Sequence, residues 1–248
     1  MRLNPVFREG LEVYLAEGHG FAAYFYVLIL LAPVVFLTLF LPSLDAQVWV
    51  GPAHLFRVSF VAALVLIVYF SLRTANQEFA PWRLRTVKSW LHEQGLSRGA
   101  LARGQLALFS LQVILFVLLC SPLLLWAAAI ARASAAAIVS AFLLLSFYAF
   151  AYGIWGLAAL ALWERRFETR QVFVRVFCIM MVFLTSVFYL PLNPAAFLLS
   201  YLGEKEMAPL ALWGWQWAAY SAHFTFHILL LGAGLAAHRW GLRREVYW

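Results

Sequence analysis

Six apolar stretches divide this chain, at residues 21–41, 55–72, 105–130, 138–163, 172–190 and 217–237. Crossing a hydrocarbon core of about 30 Å takes about 20 apolar residues in a helix. Each stretch therefore reads as a membrane span, and the connections between them are short. Residues are 65% hydrophobic and mean hydropathy is +0.85, against roughly half apolar in a soluble domain. The fold class this implies is an all-α integral membrane protein, one domain over residues 1–248, with no room for a separate soluble enzyme.

The basic residues are sorted. Of 18 Lys and Arg, all but Arg57, Arg132 and Lys205 fall on the N-terminal side of the spans. Lys and Arg are retained on the cytoplasmic side during insertion. The expectation is an even number of spans with both termini cytoplasmic, and with Asp45, Glu204 and Glu206 facing outward. A formal charge of +7 is then explained by topology and does not call for nucleic acid. Cys120 and Cys178 lie at different depths in different spans, which disfavours a disulfide. No cleavable signal peptide is expected, because the first apolar run has the length of a full span.

Residues 1–20 read as an amphipathic helix on the cytoplasmic surface. Asn4 can cap it and Pro5 suits its first position. Phe7, Leu11, Tyr14 and Leu15 recur at helical spacing, and Gly18 and Gly20 end it. The longest basic loop, residues 73–103, holds Arg73, Arg83, Arg85, Lys88, Arg98 and Arg103 against Glu78 and Glu93. Within it, residues 81–94 are expected to form a second surface helix that Pro81 can open. Leu84, Val87 and Leu91 fall on one face with Trp90 beside them. Gly95 fits the left-handed position that ends a helix, and Ser97 can cap the next one. A basic loop held to anionic headgroups is the alternative reading.

Pro33 and Pro122 sit inside spans, where kinks are expected. Residues 164–171 form a short charged turn. Residues 191–216 are apolar in two pieces, 195–202 and 207–217, neither long enough to cross. Backbone at membrane depth without a full span must be buried in protein or line a cavity. Two short re-entrant or interfacial helices on the outer face are expected, with Trp213, Trp215, Trp217 and Tyr220 as an interfacial aromatic belt.

Some chemistry is missing from the sequence. No carboxylate lies centrally in any span, which argues against an ion-coupled transporter. No glycine-rich loop ends in Gly-Lys-Ser/Thr, so the chain does not bind ATP by that route. His223 and His227 are four apart on one helix face. Zinc wants three or four ligands, so packed, hydrogen-bonding or cavity-facing histidines are favoured over a metal site. Arg57, near the outer end of the second span, can touch an anionic substrate or snorkel to headgroups.

The order of parts resembles the permease subunits of ATP-binding-cassette exporters of the type-2 permease class. Asn4-Pro5-Val6-Phe7-Arg8-Glu9 looks like the start of such permeases. Thr86-Val87-Lys88-Ser89-Trp90-Leu91, then Gly95-Leu96-Ser97-Arg98 and Gly104-Gln105, is similar to their coupling-helix region. Trp90 stands where a leucine is usual, Gly95 where proline is common and Gln105 where lysine is usual. The acidic residues usual before the threonine are reduced to Glu78.

The resemblance implies six spans, an N-terminal connecting helix, a coupling helix at 81–94 and outer re-entrant helices. It implies a dimer, with itself or a second permease, and separate cytoplasmic nucleotide-binding ATPase subunits that carry ATP and Mg. The chain itself would hold no cofactor or metal and no catalytic residue. Leu84, Val87, Lys88, Trp90 and Leu91 would couple to the ATPase, while Arg57, His223 and His227 are candidates for the substrate pathway. A bacterial inner membrane is the expected location. A non-transporting scaffold subunit and an intramembrane metalloenzyme are the alternatives.

Overall fold

The computed structural model describes residues 4–12, 21–40, 51–75, 95, 97–164, 166–212 and 214–244. The helix expected at 81–94 lies outside the described residues, as do Tyr14, Leu15, Asp45 and Trp213. Among the described residues the α-helices are α1 (Pro5–Leu11), α2 (Phe21–Phe40), α3 (Gly51–Ala75), α4 (Arg98–Ile130), α5 (Ala135–Leu162), α6 (Phe167–Phe188), α7 (Pro194–Leu202) and α8 (Ala219–Arg243). Six of them, α2 to α6 and α8, are long and apolar enough to cross a membrane. Helices α2 and α4 run on through Pro33 and Pro122.

Local chemistry sets the helix starts. Asn4 caps α1 by accepting the Val6 N–H at 3.0 Å, with Pro5 in the first turn. Ser97 caps α4 and Ser134 caps α5 through the Ala100 and Ala137 N–H groups. Gly95 has φ +62, the left-handed region that suits a residue without a Cβ. The face that α1 buries is not the expected one. Val6 and Gly10 are buried while Phe7 and Leu11 are only partly covered. The reason is docking on α4: Asn4 Nδ2 donates to Ala100 O at 2.8 Å, and a Cβ on Gly104 would come within 2.7 Å of the Val6 Cβ.

The core centres on α5, which packs against α3 on one side and α8 on the other. Small residues make this possible. A Cβ on Gly156 would lie 2.2 Å from Leu72 O of α3, and one on Gly241 2.8 Å from the Ala161 Cβ. Helices α5 and α8 run parallel: residues 148, 152 and 155 meet 223, 227 and 230 at a constant offset. Arg98 Nη1 donates to Arg243 O at 3.2 Å, so α4 starts where α8 ends. Helix α1 sits at that same end, which carries Arg73, Arg98, Arg103, Arg166, Arg170 and Arg239. It is called the basic end below.

The lateral surface is apolar. On α6, Ile179, Phe183, Val187 and Phe188 are all more than half exposed. Contiguous apolar patches of this extent are rare on soluble proteins. With six helices of spanning length, they mark an integral membrane protein.

At the opposite end, the segment between α6 and α8 corrects one expectation. The first apolar piece is a helix, α7, preceded by a 3-10 turn at Leu190–Leu192. Asn193 caps it, accepting from the Ala195 and Ala196 N–H groups, and Phe197 and Leu198 are buried. The second piece is not a helix. Leu210–Leu212 (β1) and Trp215–Trp217 (β2) pair antiparallel, with Gly214 at φ +82 in the turn. Here leucine and tryptophan recur at every second residue around a glycine, a period-two pattern that favours a hairpin over a helix. Tyr189 OH donates to Ala208 O and ties the hairpin to the end of α6.

Candidate functional site

The histidine pair of α8 is built into a ladder with two tyrosines of α5. Tyr148 OH meets His223 Nε2 at 2.6 Å, and Tyr152 OH meets His227 Nε2 at 3.2 Å. On the other ring nitrogens, His223 Nδ1 lies 2.6 Å from Pro191 O and His227 Nδ1 lies 2.9 Å from His223 O. A carbonyl only accepts, so each Nδ1 carries the proton and each Nε2 accepts from a tyrosine hydroxyl. Both nitrogens of each ring are used. All four side chains are buried, His223 and His227 fully.

That closed set of hydrogen bonds decides what the pair can do. A metal would need a free nitrogen lone pair, and each one is already held by a tyrosine proton. His227 and His223 therefore act here as joints between helices. His223 is the busier of the two. It ties α8 to α5 through Tyr148 and to the 3-10 turn through Pro191. Phe197 of α7 stacks on it at 3.7 Å and 13°.

Arg57 belongs to the same assembly at its far end. Its guanidinium lies 3.3 Å from where a Cβ on Gly203 would be, beside the C-terminus of α7. A cation there complements the partial negative charge of a helix C-terminus. Arg57, His223 and His227 are thus brought together around α7, directly for the first two. None of the three is among the residues lining the cavity of about 670 Å³ that lies between the start of α5, the end of α7 and the start of α8.

Leu84, Val87, Lys88, Trp90 and Leu91 lie outside the described residues. The described residues next to them show a dense polar end. His238 Nε2 donates to Gln105 Oε1 at 2.9 Å, joining α8 to α4 close to the Arg98–Arg243 bond. Arg170 is fully buried, and Glu164 is buried with it, each with interaction partners. The sequence had shown residues 164–171 only as a charged turn.

Sequence reasoning missed Tyr148, Tyr152, Gln105, His238 and Phe197. One signal was present: α5 carries two tyrosines four apart, matching the histidine spacing in α8. Two apolar spans with polar groups at i and i+4 are natural partners, because each needs the other's hydrogen bonds away from water.

Compared with protein-family models, curated proteins and solved structures, the chain matches none.

Proposed function

We propose that this chain is the permease subunit of an ATP-binding-cassette transporter of the type-2 class. It moves an amphipathic or hydrophobic substrate outward, powered by ATP hydrolysed with Mg on separate cytoplasmic subunits. The permease works as a dimer in a bacterial inner membrane, with its basic end and both termini in the cytoplasm. The observation that carries this reading is the loop at residues 73–103. Its sequence puts Leu84, Val87 and Leu91 at helical spacing with Trp90 beside them, the expected apolar stripe of a basic surface helix where no span needs one.

The surroundings of that loop support the reading. Gly95 at φ +62 followed by the Ser97 cap fits a helix that stops before α4 starts. Helix α1 is docked on α4 at the same end, which joins the N-terminal helix to the span that the loop leads into. At the other end, α7 and the hairpin lie between α6 and α8, where an exporter of this class carries its outer helices.

The loop is tested by substitution. A docking helix seats apolar side chains in a groove, where truncating a buried aromatic costs about 2 kcal/mol or more. A lipid-bound loop would respond to charge instead. Trp90→Ala and Val87→Asp are expected to weaken co-purification with the ATPase and abolish substrate-stimulated hydrolysis, while membrane insertion persists. Arg85→Ala should change mainly salt dependence, as a rim charge does. Full coupling in both stripe variants would make a lipid-bound loop the better account.

A further inference from the structure

The hairpin between α7 and α8 is two-faced, and its register decides which side chains share a face. Residues two apart in a strand point the same way, and cross-strand partners lie on one face. Leu210 pairs with Trp217, and Trp215 stands two residues from Trp217. Ala211 pairs with Gln216 on the opposite face. One face therefore carries Leu210, Trp215 and Trp217, and the other a methyl group and an amide. The aromatic belt expected from the sequence becomes a sided surface.

The chain leaves that apolar face uncovered. Trp215 is 74% exposed and Trp217 46%, and the two strands pack mainly on each other. The face continues the apolar lateral surface of the bundle at both of its ends. Tyr189 OH donates to Ala208 O, so the hairpin starts beside the end of α6. Val187, Phe188 and Leu190 are all more than half exposed there. Trp217 runs within two residues into α8, where Tyr220 and Phe224 are exposed. Charge stops at the same border. Glu204, Lys205 and Glu206 are exposed, and no Asp, Glu, Lys or Arg follows until Arg239.

We infer that the apolar face of this hairpin lies in the headgroup boundary of the bilayer, at the end opposite the basic one. It is an interfacial anchor set between two spans, with Ala211 and Gln216 toward water. The area favours lipid over protein as the occupant. A stable protein interface takes about 800 Å² from each partner. A tryptophan buries at most about 250 Å², so two of them and a leucine fall short. Tryptophan does concentrate at headgroup depth. Because the hairpin is tied to α6 and leads straight into α8, the lipid surface holds the ends of both spans at one depth. The inference needs only the integral-membrane fold and stands whether or not the chain is a permease.

The test uses the full chain in phosphatidylcholine vesicles, with Cys120→Ala and Cys178→Ala removing the native thiols. Ala211→Cys, Trp215→Cys, Gln216→Cys and Trp217→Cys are made one at a time and labelled with a nitroxide. Power saturation reads collisions with oxygen, which concentrates in lipid, and with a neutral nickel chelate, which stays in water. Labels at 215 and 217 should favour oxygen several-fold, and labels at 211 and 216 should favour nickel. Nickel access at all four positions would put the hairpin in water, and oxygen access at all four would sink it whole. Shielding of 215 and 217 from both reagents would mean that a second copy or another protein covers the face. Each of these three outcomes overturns the inference. The cysteine variants remove the anchoring rings, so the unlabelled chain gives a second reading. Lipid brominated just below the headgroup should quench part of its tryptophan emission. Trp215→Phe combined with Trp217→Phe should clearly reduce the emission so quenched, and an unchanged amount likewise overturns the inference.

Discussion

Burying a histidine ring in a bilayer is costly unless its nitrogens find partners, and the two tyrosines of α5 supply them for His223 and His227 of α8. Removing one partner strands the other. In membrane bundles such polar pairs average about 0.6 kcal/mol and reach about 1.7, while a stranded buried group costs roughly 1–3 kcal/mol. Tyr148–His223 is short, at 2.6 Å, and fully enclosed, whereas Tyr152–His227 is longer, at 3.2 Å. Tyr148→Phe is therefore expected to cost about 1.5 kcal/mol, and Tyr152→Phe visibly less. Denaturant unfolding in detergent reads the order, and a larger loss for Tyr152→Phe would mean that bond length does not govern the ladder. The same closure bears on metals. Zinc added to the purified chain should leave its unfolding midpoint unchanged, and a clear rise would show that the histidines can release their tyrosines. At this scale the sequence displayed the histidines but not their partners. Periodicity fixes which residues share a helix face, and only the packed register between spans decides which face meets which.

Helices were the most legible level, because length and apolarity together leave a stretch of about 20 residues little choice in a bilayer. Helix starts followed from caps that could be named in advance, such as Asn4 and Ser97. The hairpin did not follow. Residues 207–217 are as apolar as a helix of a membrane protein, and their period of two was outweighed by that composition. The packing between helices was equally hidden, since it depends on glycines whose neighbours lie far away in sequence. Gly156→Ala tests this directly. Its Cβ would meet a backbone carbonyl, Leu72 O, at 2.2 Å, and backbone cannot swing aside as a side chain can. Helices α3 and α5 must then separate, at a cost of about 1–3 kcal/mol for overpacking. Gly232→Ala on α8 has nothing within 4 Å and should be neutral, or stabilising by about 0.5–1 kcal/mol through helix propensity. Equal effects at the two positions would contradict the close contact between α3 and α5.

Over the whole molecule, the basic end is where charge sorting and packing agree. The sorting of Lys and Arg could be read from sequence alone, but it gives a side of the membrane only if the helices alternate in direction. The fold meets that condition. Asn4 reaches Ala100, and Arg98 reaches Arg243, so the N-terminal helix and the end of α8 share one end of the bundle. Single cysteines at Arg166 and Glu204, both exposed, report the two ends once Cys120→Ala and Cys178→Ala have removed the native thiols. An impermeant thiol reagent applied from outside intact cells should label the cysteine at 204. The cysteine at 166 should react only after the membrane is opened. Labelling of both from one side would break the six-span arrangement itself. The reverse pattern would preserve the fold but turn the 73–103 loop away from the cytoplasm. No cytoplasmic ATPase could then reach Trp90, and the permease reading would fall while the cavity at Glu204 would face inward.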